Sequence, residues 1–438
     1  MAARQLNQPV SGSPQRMPRP RGQDVAYAGL IVFTILLYLR PNELLPIGAF
    51  PIVKIITIGT LLAFFIERVG QGGSLSVMPR PFKYLLAVAG LAILSIPLGL
   101  DQGNSFTAFT DLFLKILLVF LLTINVVSSF QRLQLLMEVT VLSAAVVGVL
   151  TLVDYSLGRN LVEGGRATGA LGGIFRNPND LALAMNVLLP IACTIGLSRR
   201  NHFSKLLYVL SALVFAMTIA ATQSRSGFIT LVIAGLFFLV QLGRRYPALW
   251  AVAALAAVAF LASGPGRIVT LFDASGGDIS AAESGSTRWE LVKRGIEVAG
   301  ANPIRWLFGV GLDNFRIVSI KNLVSHNAYL QVFNEIGLPA LIFYILFLAS
   351  ATGIAARIVK RYQRERGYRQ VWLTAVGIQT ALVAYAVGSF FASVAFQWYV
   401  YYPAAFAVCL QQLLARTERL HVQKEVTPSV WYLRRVQH

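Results

Sequence analysis

The residues whose types would do chemistry are arginines and one histidine. Arg166, Arg176, Arg225 and Arg288 stand in polar stretches between long apolar runs, and His326 follows them at the head of another apolar run. A guanidinium is a planar fork of donors that keeps its proton and grips phosphate oxygens through two parallel bonds. Converging arginines are therefore suited to a diphosphate. A histidine beside them would accept a proton from an attacking hydroxyl or bind the same anion. Other chemistries lack their residues: there is no phosphate-cradling GxxxxGKS or GxxxxGKT loop, no HExxH, no clustered Cys or His ligands and no Asp-x-Asp pair. Neither a metal nor any other cofactor is expected.

Each candidate has its own local setting. Arg225 lies in Thr222-Gln223-Ser224-Arg225-Ser226-Gly227, a very short link between two apolar runs. A charge there needs an anionic ligand or an ion-pair mate at the membrane surface. The stretch from Gly164 to Asp180 holds five glycines and then Asn177-Pro178-Asn179-Asp180, a helix start with asparagine as cap and proline in the first turn. Glycine-rich backbone leading into a helix N-terminus is an anion-binding geometry, and it equally describes a flexible loop. Arg166, Arg176, Asn177 and Asn179 are the candidate substrate contacts here.

Thr287-Arg288-Trp289-Glu290 has the pattern of a capping box. Trp289, Val292, Ile296 and Ala299 then recur at helical spacing, with Lys293, Arg294 and Glu297 on the other face, until Gly300 and Pro303. This predicts a short amphipathic helix near the outer membrane surface with Arg288 in its first turn, or a helix that merely plugs the bundle. After His326, the residues Asn327, Gln331, Asn334 and Glu335 fall largely on one helix face. That face should point into the bundle or a wet cavity, because polar groups toward lipid are costly. Asn327, Gln331 and Glu335 complete the candidate substrate contacts. Asp111 and Lys115 read as a buried structural pair, with a lipid-phosphate contact for Lys115 as the alternative.

Apolar helices must position all of these. Of 438 residues, 56% are hydrophobic and only 13% are charged, against roughly 25% charged in a soluble domain. The chain reads as an all-α polytopic membrane protein with about 12 transmembrane helices and one large periplasmic loop containing short helices. Candidate spans run roughly over 25–40, 51–67, 82–100, 105–126, 133–157, 180–198, 204–222, 226–242, 247–263, 327–356, 371–391 and 397–415. The expected organisation is a disordered cytoplasmic arm at 1–24 with no cleavable signal, spans 1 to 9 within 25–263, the loop at 264–325, spans 10 to 12 within 326–415, and a basic cytoplasmic tail at 416–438.

Most Lys and Arg cluster in alternate connections, such as Arg199, Arg200 and Lys205, or Arg357 to Arg369. The positive-inside rule assigns those connections and both termini to the cytoplasm. Arg159, Arg166, Arg176, Arg225, Arg267, Arg288, Arg305 and Arg316 then face outward, against the rule. The net charge of +19 is thus a signal of topology and anionic lipid, not of nucleic acid. Cys193 and Cys409 each sit within an apolar run, so neither a disulfide framework nor a metal site is expected. A diphosphate handled at the outer face of a membrane suggests a polyprenyl-linked donor.

Four motifs in order resemble the O-antigen ligase and polymerase family. They are Arg166 to Asp180 with its Asn-Pro-Asn core, and Ser224-Arg225-Ser226-Gly227. Next comes Ser286-Thr287-Arg288-Trp289 with the following Asn302-Pro303 and Gly309-Val310-Gly311. Last is His326-Asn327-Ala328-Tyr329-Leu330-Gln331 with Glu335-Ile336-Gly337-Leu338. The resemblance covers roughly residues 150–345, and the preceding residues add little to it. It implies an inverting, metal-independent glycosyltransferase that takes a glycan from undecaprenyl diphosphate at the periplasmic face of the bacterial inner membrane. It further implies that Arg225 and Arg288 contact the diphosphate, and that His326 activates the acceptor or contacts the diphosphate.

The acceptor stays open. It is lipid A core for a ligase, the reading favoured, a glycan repeat for a polymerase, or a protein hydroxyl for an oligosaccharyltransferase. Membrane lipids are the other expected partners. The alternative of another class is a polytopic transporter or flippase, which would carry two repeated halves with broken helices near the midplane. No such repeat is visible in the sequence.

Overall fold

The computed structural model describes residues 22–39, 52–70, 76–162, 165–171, 175–243, 245–248, 250–251 and 279–435. Residues 1–21 of the expected arm, most of the expected span 247–263, and the first part of the large loop lie outside them. The described residues are almost wholly helical. They form α1 Gly22–Leu39, α2 Ile52–Gly70, α3 Arg80–Ser95, α4 Gln102–Val126, α5 Phe130–Ser156, α6 Pro178–Ser198, α7 His202–Ala221 and α8 Arg225–Leu242. Then come α9 Ile279–Gly300, α10 Pro303–Phe308, α11 Phe315–Val318, α12 Ala328–Ile336, α13 Leu338–Tyr362, α14 Arg369–Gly388 and α15 Trp398–Arg435. One small antiparallel hairpin pairs β1 Leu161–Val162 with β2 Arg166–Ala167.

Among the described residues, seven helices are long and apolar enough to cross a membrane: α4, α5, α6, α7, α8, α13 and α14 with its extension to Phe391. The expected count of 12 is not reached by this measure. Helix α1 offers only a shorter apolar stretch, Asp24–Leu39. An apolar helix must bury its surface in protein or face lipid. Helices α6 and α14 are 78% buried over their most apolar windows, against 28% for α7 and 33% for α8. The first pair therefore forms the centre of the bundle, and the second pair its lipid-facing flank.

Short connections make neighbouring helices alternate in direction. The C-terminal ends of α3, α5, α7 and α14 therefore share one end of the bundle with the N-terminal ends of α4, α6, α8, α13 and α15. All the candidate residues lie at this end.

Three expectations are corrected. The span expected over 327–356 is two helices, α12 and α13, broken at Gly337 with φ 99°. A Cβ at position 337 would lie 2.2 Å from the Leu307 carbonyl oxygen, so the break lets α10 approach the start of α13. The amphipathic helix begins at Ile279, not at Thr287. The alanines and glutamate at 281–283 are good helix formers that extend it backward. Thr287 is consequently interior rather than a cap, and Arg288 is not in the first turn. At the other end Pro303 opens α10, capped by Asn302. Finally, Lys115 Nζ is 3.1 Å from Asp111 Oδ1, but both side chains lie on the outside of α4, where a π-helical turn spans Phe109–Phe113. The pair is not buried.

Candidate active site

The link between α7 and α8 is only Thr222-Gln223-Ser224. Ser224 starts α8 as its cap, its Oγ accepting the Gly227 N–H at 3.1 Å. A Cβ at position 227 would sit 2.6 Å from the Ala182 Cβ, so glycine lets α8 close on α6. Gln223 takes a left-handed φ of 47° to make the turn, a conformation that non-glycine residues hold only when neighbours impose it. Arg225 follows as the first residue of α8, half-buried.

A polar mesh fixes this link to the start of α6. Asn179 Oδ1 accepts from Ser224 Oγ at 2.7 Å and from Arg166 Nη2 at 2.8 Å. The Arg166 Nε also donates to the Thr222 carbonyl at 3.1 Å. Arg166 reaches these partners from β2, and Ser224 Oγ meets Ser226 Oγ at 3.0 Å. Asn177 is the cap of α6, its side chain accepting the Asn179 N–H at 2.8 Å with Pro178 next in line. Arg176 is exposed and stands apart from the mesh. Its neighbour Phe175 is buried against Tyr38 and Tyr399.

Arg288, on α9, and His326, just before α12, reach the same end. Burial pulls the Arg288 guanidinium below its ordinary pKa, and the charge of Arg225 pulls it further. Burial likewise lowers the His326 imidazole, and the charge of Arg288 adds to that. Arg225, Arg288 and His326 thus lie within one another's electrostatic reach as a chain of three. Among the described residues, neither Arg288 nor His326 forms an ion pair with a carboxylate. The Arg288 guanidinium lies 5.9 Å from the centre of the Phe391 ring, a cation–π contact from the α14 side. His326 holds φ 48°. The site therefore combines two strained backbone positions, Gln223 and His326, with half-buried positive charge. The donors of such a cluster are chemically suited to an anion that carries two or more negative oxygens.

The polar face of α12 is used differently. Asn327 caps the helix, accepting the N–H groups of Tyr329 and Leu330 at 2.9 and 3.1 Å. Gln331 Oε1 accepts the Ala395 N–H at 3.2 Å. Glu335 is buried, and its backbone carbonyl accepts the Gly311 N–H at 3.0 Å while that of Asn334 accepts Val310 at 2.8 Å. Burial pushes the Glu335 carboxyl up to about 8, with the nearby backbone at Asp313 opposing the rise. The backbone carbonyls of Asn334 and Glu335 thus hold the loop 309–313, and the Gln331 side chain holds the turn before α15. Glu335 is buried, while Asn327, next to His326, and Gln331 are half-buried.

Residues that sequence reasoning left aside complete the scaffold. Asn314 donates to the Asp101 carbonyl, Ser105 Oγ and the Val310 carbonyl, and accepts from Asn104 at 2.9 Å. It ties the start of α4 to the loop beneath His326. Ser224 and Phe391 touch the site directly. Ser224 had a signal, since a serine just before Arg225 at a helix start is a cap. Phe391 had none, because its contact is made only in three dimensions.

Residues 210–345 match a family described as O-antigen ligase. The matched stretch holds Arg225, Arg288 and His326 and stops within α13, while Arg166, Asn177 and Asn179 lie before it. No curated protein matches the chain.

Proposed function

We propose, from the match of residues 210–345 to a family described as O-antigen ligase, that the chain is an inverting, metal-independent glycosyltransferase moving a glycan from undecaprenyl diphosphate to an acceptor hydroxyl. The family match supports a multi-pass membrane protein with glycan ligase or polymerase activity. The acceptor we favour is lipid A core, which makes the chain an O-antigen ligase. A glycan repeat or a protein hydroxyl would make it a polymerase or an oligosaccharyltransferase with the same site. The site opens to the periplasm of the bacterial inner membrane, with both termini cytoplasmic. The excess of Lys and Arg at the opposite ends of α6 and α7, with Arg199, Arg200 and Lys205, supports that orientation.

One observation carries the reading. Arg225, Arg288 and His326 come from three separate segments and converge electrostatically at one end of the bundle. The acceptor oxygen attacks the anomeric carbon from the face opposite the diphosphate. The bond from that carbon to the phosphate oxygen breaks, and its electron pair leaves on the diphosphate. Arg225 and Arg288 stabilise the charge that grows there. The acceptor proton passes to His326, whose lowered pKa keeps the imidazole neutral and able to take it. Arg166, Asn179 and Ser224 hold the Arg225 turn in position.

The test is transfer by purified protein with an undecaprenyl-diphosphate glycan and a panel of acceptors, in excess chelator. Wild type is compared with Arg225→Ala and His326→Ala. Transfer to lipid A core that Arg225→Ala abolishes and His326→Ala cuts to a small residual rate is the expected result. Chain lengthening instead would make the enzyme a polymerase. Loss of turnover in chelator would overturn the metal-free mechanism. Donor movement across vesicles with no covalent product would overturn the transferase reading altogether.

A further inference from the structure

Helix α9 has three distinct sides. Arg288, Leu291, Gly295 and Val298 fall on the side turned toward the bundle. Leu291 and Val298 are buried there, and a Cβ at 295 would lie 2.5 Å from the Asn334 amide. Glu290, Arg294 and Glu297 form an exposed polar flank. The remaining side is uncovered and carries an apolar stripe with Lys293 at its edge: Trp289 is 60% exposed and Ile296 is 53% exposed, two turns apart on one face. Gly300 comes one turn later on that face, and a Cβ there would lie 3.9 Å from the Trp306 Nε1. Trp306 therefore prolongs the stripe onto α10, where Ile304 and Leu307 are also exposed.

The level of this stripe is set by α13. The Leu307 backbone abuts Gly337 at the head of that span, and the Trp306 ring meets Phe333 edge-on with centroids 5.1 Å apart. Leu338 and Ile342, the first exposed apolar residues of the span, continue the same surface into the lipid-facing side of the bundle. The apolar stripe is thus continuous with the lipid boundary at the point where a span ends. Tryptophan is the residue of that boundary, with an apolar body and one N–H for the headgroups. Lys293 stands 5.8 Å from the Trp289 ring centre, where its charge would face lipid phosphate.

We propose that α9 and α10 lie in the headgroup layer of the bilayer, with Trp289, Ile296 and Trp306 inserted into it. The occupant of this face is phospholipid, rather than a protein partner or a second copy of the chain. The bilayer then holds α9 from outside while Arg288, on the adjoining side about 100° round the helix, is held at Phe391. This goes beyond the transferase reading and needs only that the chain crosses a membrane.

The test measures depth, not activity. Single cysteines are introduced as Trp289→Cys, Ile296→Cys and Trp306→Cys, with Glu290→Cys and Glu297→Cys as controls on the polar flank. The full chain carries Cys193→Ala and Cys409→Ala, and is spin-labelled in phospholipid nanodiscs holding one copy each. Collision with oxygen is compared with collision with a water-soluble nickel chelate. The ratio at 289, 296 and 306 should exceed that at 290 and 297 by about fivefold, as for a helix lying in the headgroup layer. Equal ratios at all five positions would overturn the proposal. So would labels at 289, 296 and 306 that neither reagent reaches, because that face would then be covered by protein.

Discussion

Burial lowers the pKa of Arg288 and the charge of Arg225 lowers it further, although the two stand on different helices, α9 and α8. Two like charges held together in half-buried surroundings oppose folding and favour any anion that bridges them. The expected outcome for Arg288→Gln is therefore divided. Transfer should fall by about 100-fold, the usual cost of one lost charge-stabilising donor, while the melting temperature without substrate stays equal or rises. Arg288→Lys should also lose most activity, since an ammonium has no planar fork. Thermal unfolding and transfer assays on the same preparation check both halves. Lower stability with intact transfer would mean that Arg288 is structural.

Arg225 is the second half of the same relationship. Inorganic pyrophosphate should raise the melting temperature of the wild type and leave Arg225→Ala unmoved. One-site binding at a hundredfold excess over Kd contributes about 2.7 kcal/mol, enough to see by thermal shift. Arg225→Ala should still insert at normal level and give no transfer. Equal pyrophosphate shifts in both proteins would detach Arg225 from the anion.

The readability of the site followed the range of the interaction. Charges in an apolar chain are conspicuous, so Arg225, Arg288 and His326 could be picked out before any geometry was known. The Asn177 cap was readable as well, because a cap and its N–H lie within one turn. The mesh around Asn179 was not. Its partners Arg166 and Ser224 are 13 and 45 positions away, and no local pattern encodes that meeting. The capping box at Thr287 misled because a local signal lost to a helix already running from Ile279. The break at Gly337 was hidden for a different reason: it depends on the approach of Leu307. Periodicity alone could not say that Glu335 is buried while Asn327 and Gln331 are only half-buried.

Asn179 offers a test of positioning as opposed to contact. Its Oδ1 accepts from both Arg166 and Ser224, so Asn179→Asp keeps both acceptor bonds and should retain most activity. Asn179→Leu strands both donors, at about 1–3 kcal/mol each when buried. It should lose stability and roughly a factor of ten in turnover. Donor KM should rise less than turnover falls, because the arginine fork is displaced and not removed. Equal activity of the two variants would separate the mesh from catalysis.

Glu335 gives a stability prediction with a definite sign. Burial raises its carboxyl from 4.5 to about 8, so the folded state holds a proton that the unfolded chain releases. Stability from this group is complete below the unfolded value and declines as pH rises through the folded one. The melting temperature of the wild type should therefore fall between about pH 5 and pH 8. Glu335→Gln, which mimics the protonated form, should flatten that decline and leave transfer near wild type. A large loss of transfer at unchanged stability would return Glu335 to the substrate.

His326 decides between acceptor activation and anion binding by the direction of its pH response. Burial and Arg288 both lower its pKa from 6.5, so the imidazole is neutral at pH 7 and protonates only in more acidic solution. A neutral imidazole takes a proton from the acceptor hydroxyl; a protonated one cannot. The profile of kcat/KM should then be flat above pH 7 and fall on the acid side, with a midpoint below 6.5. His326→Gln should keep a small residual rate without that acid limb, because a diphosphate departs without a strong base. If His326 instead binds the diphosphate as a cation, the sign reverses: activity climbs as pH falls and the imidazole gains charge. A pH profile of wild type beside His326→Gln separates these, and a rise toward acid that the substitution removes would overturn the base assignment.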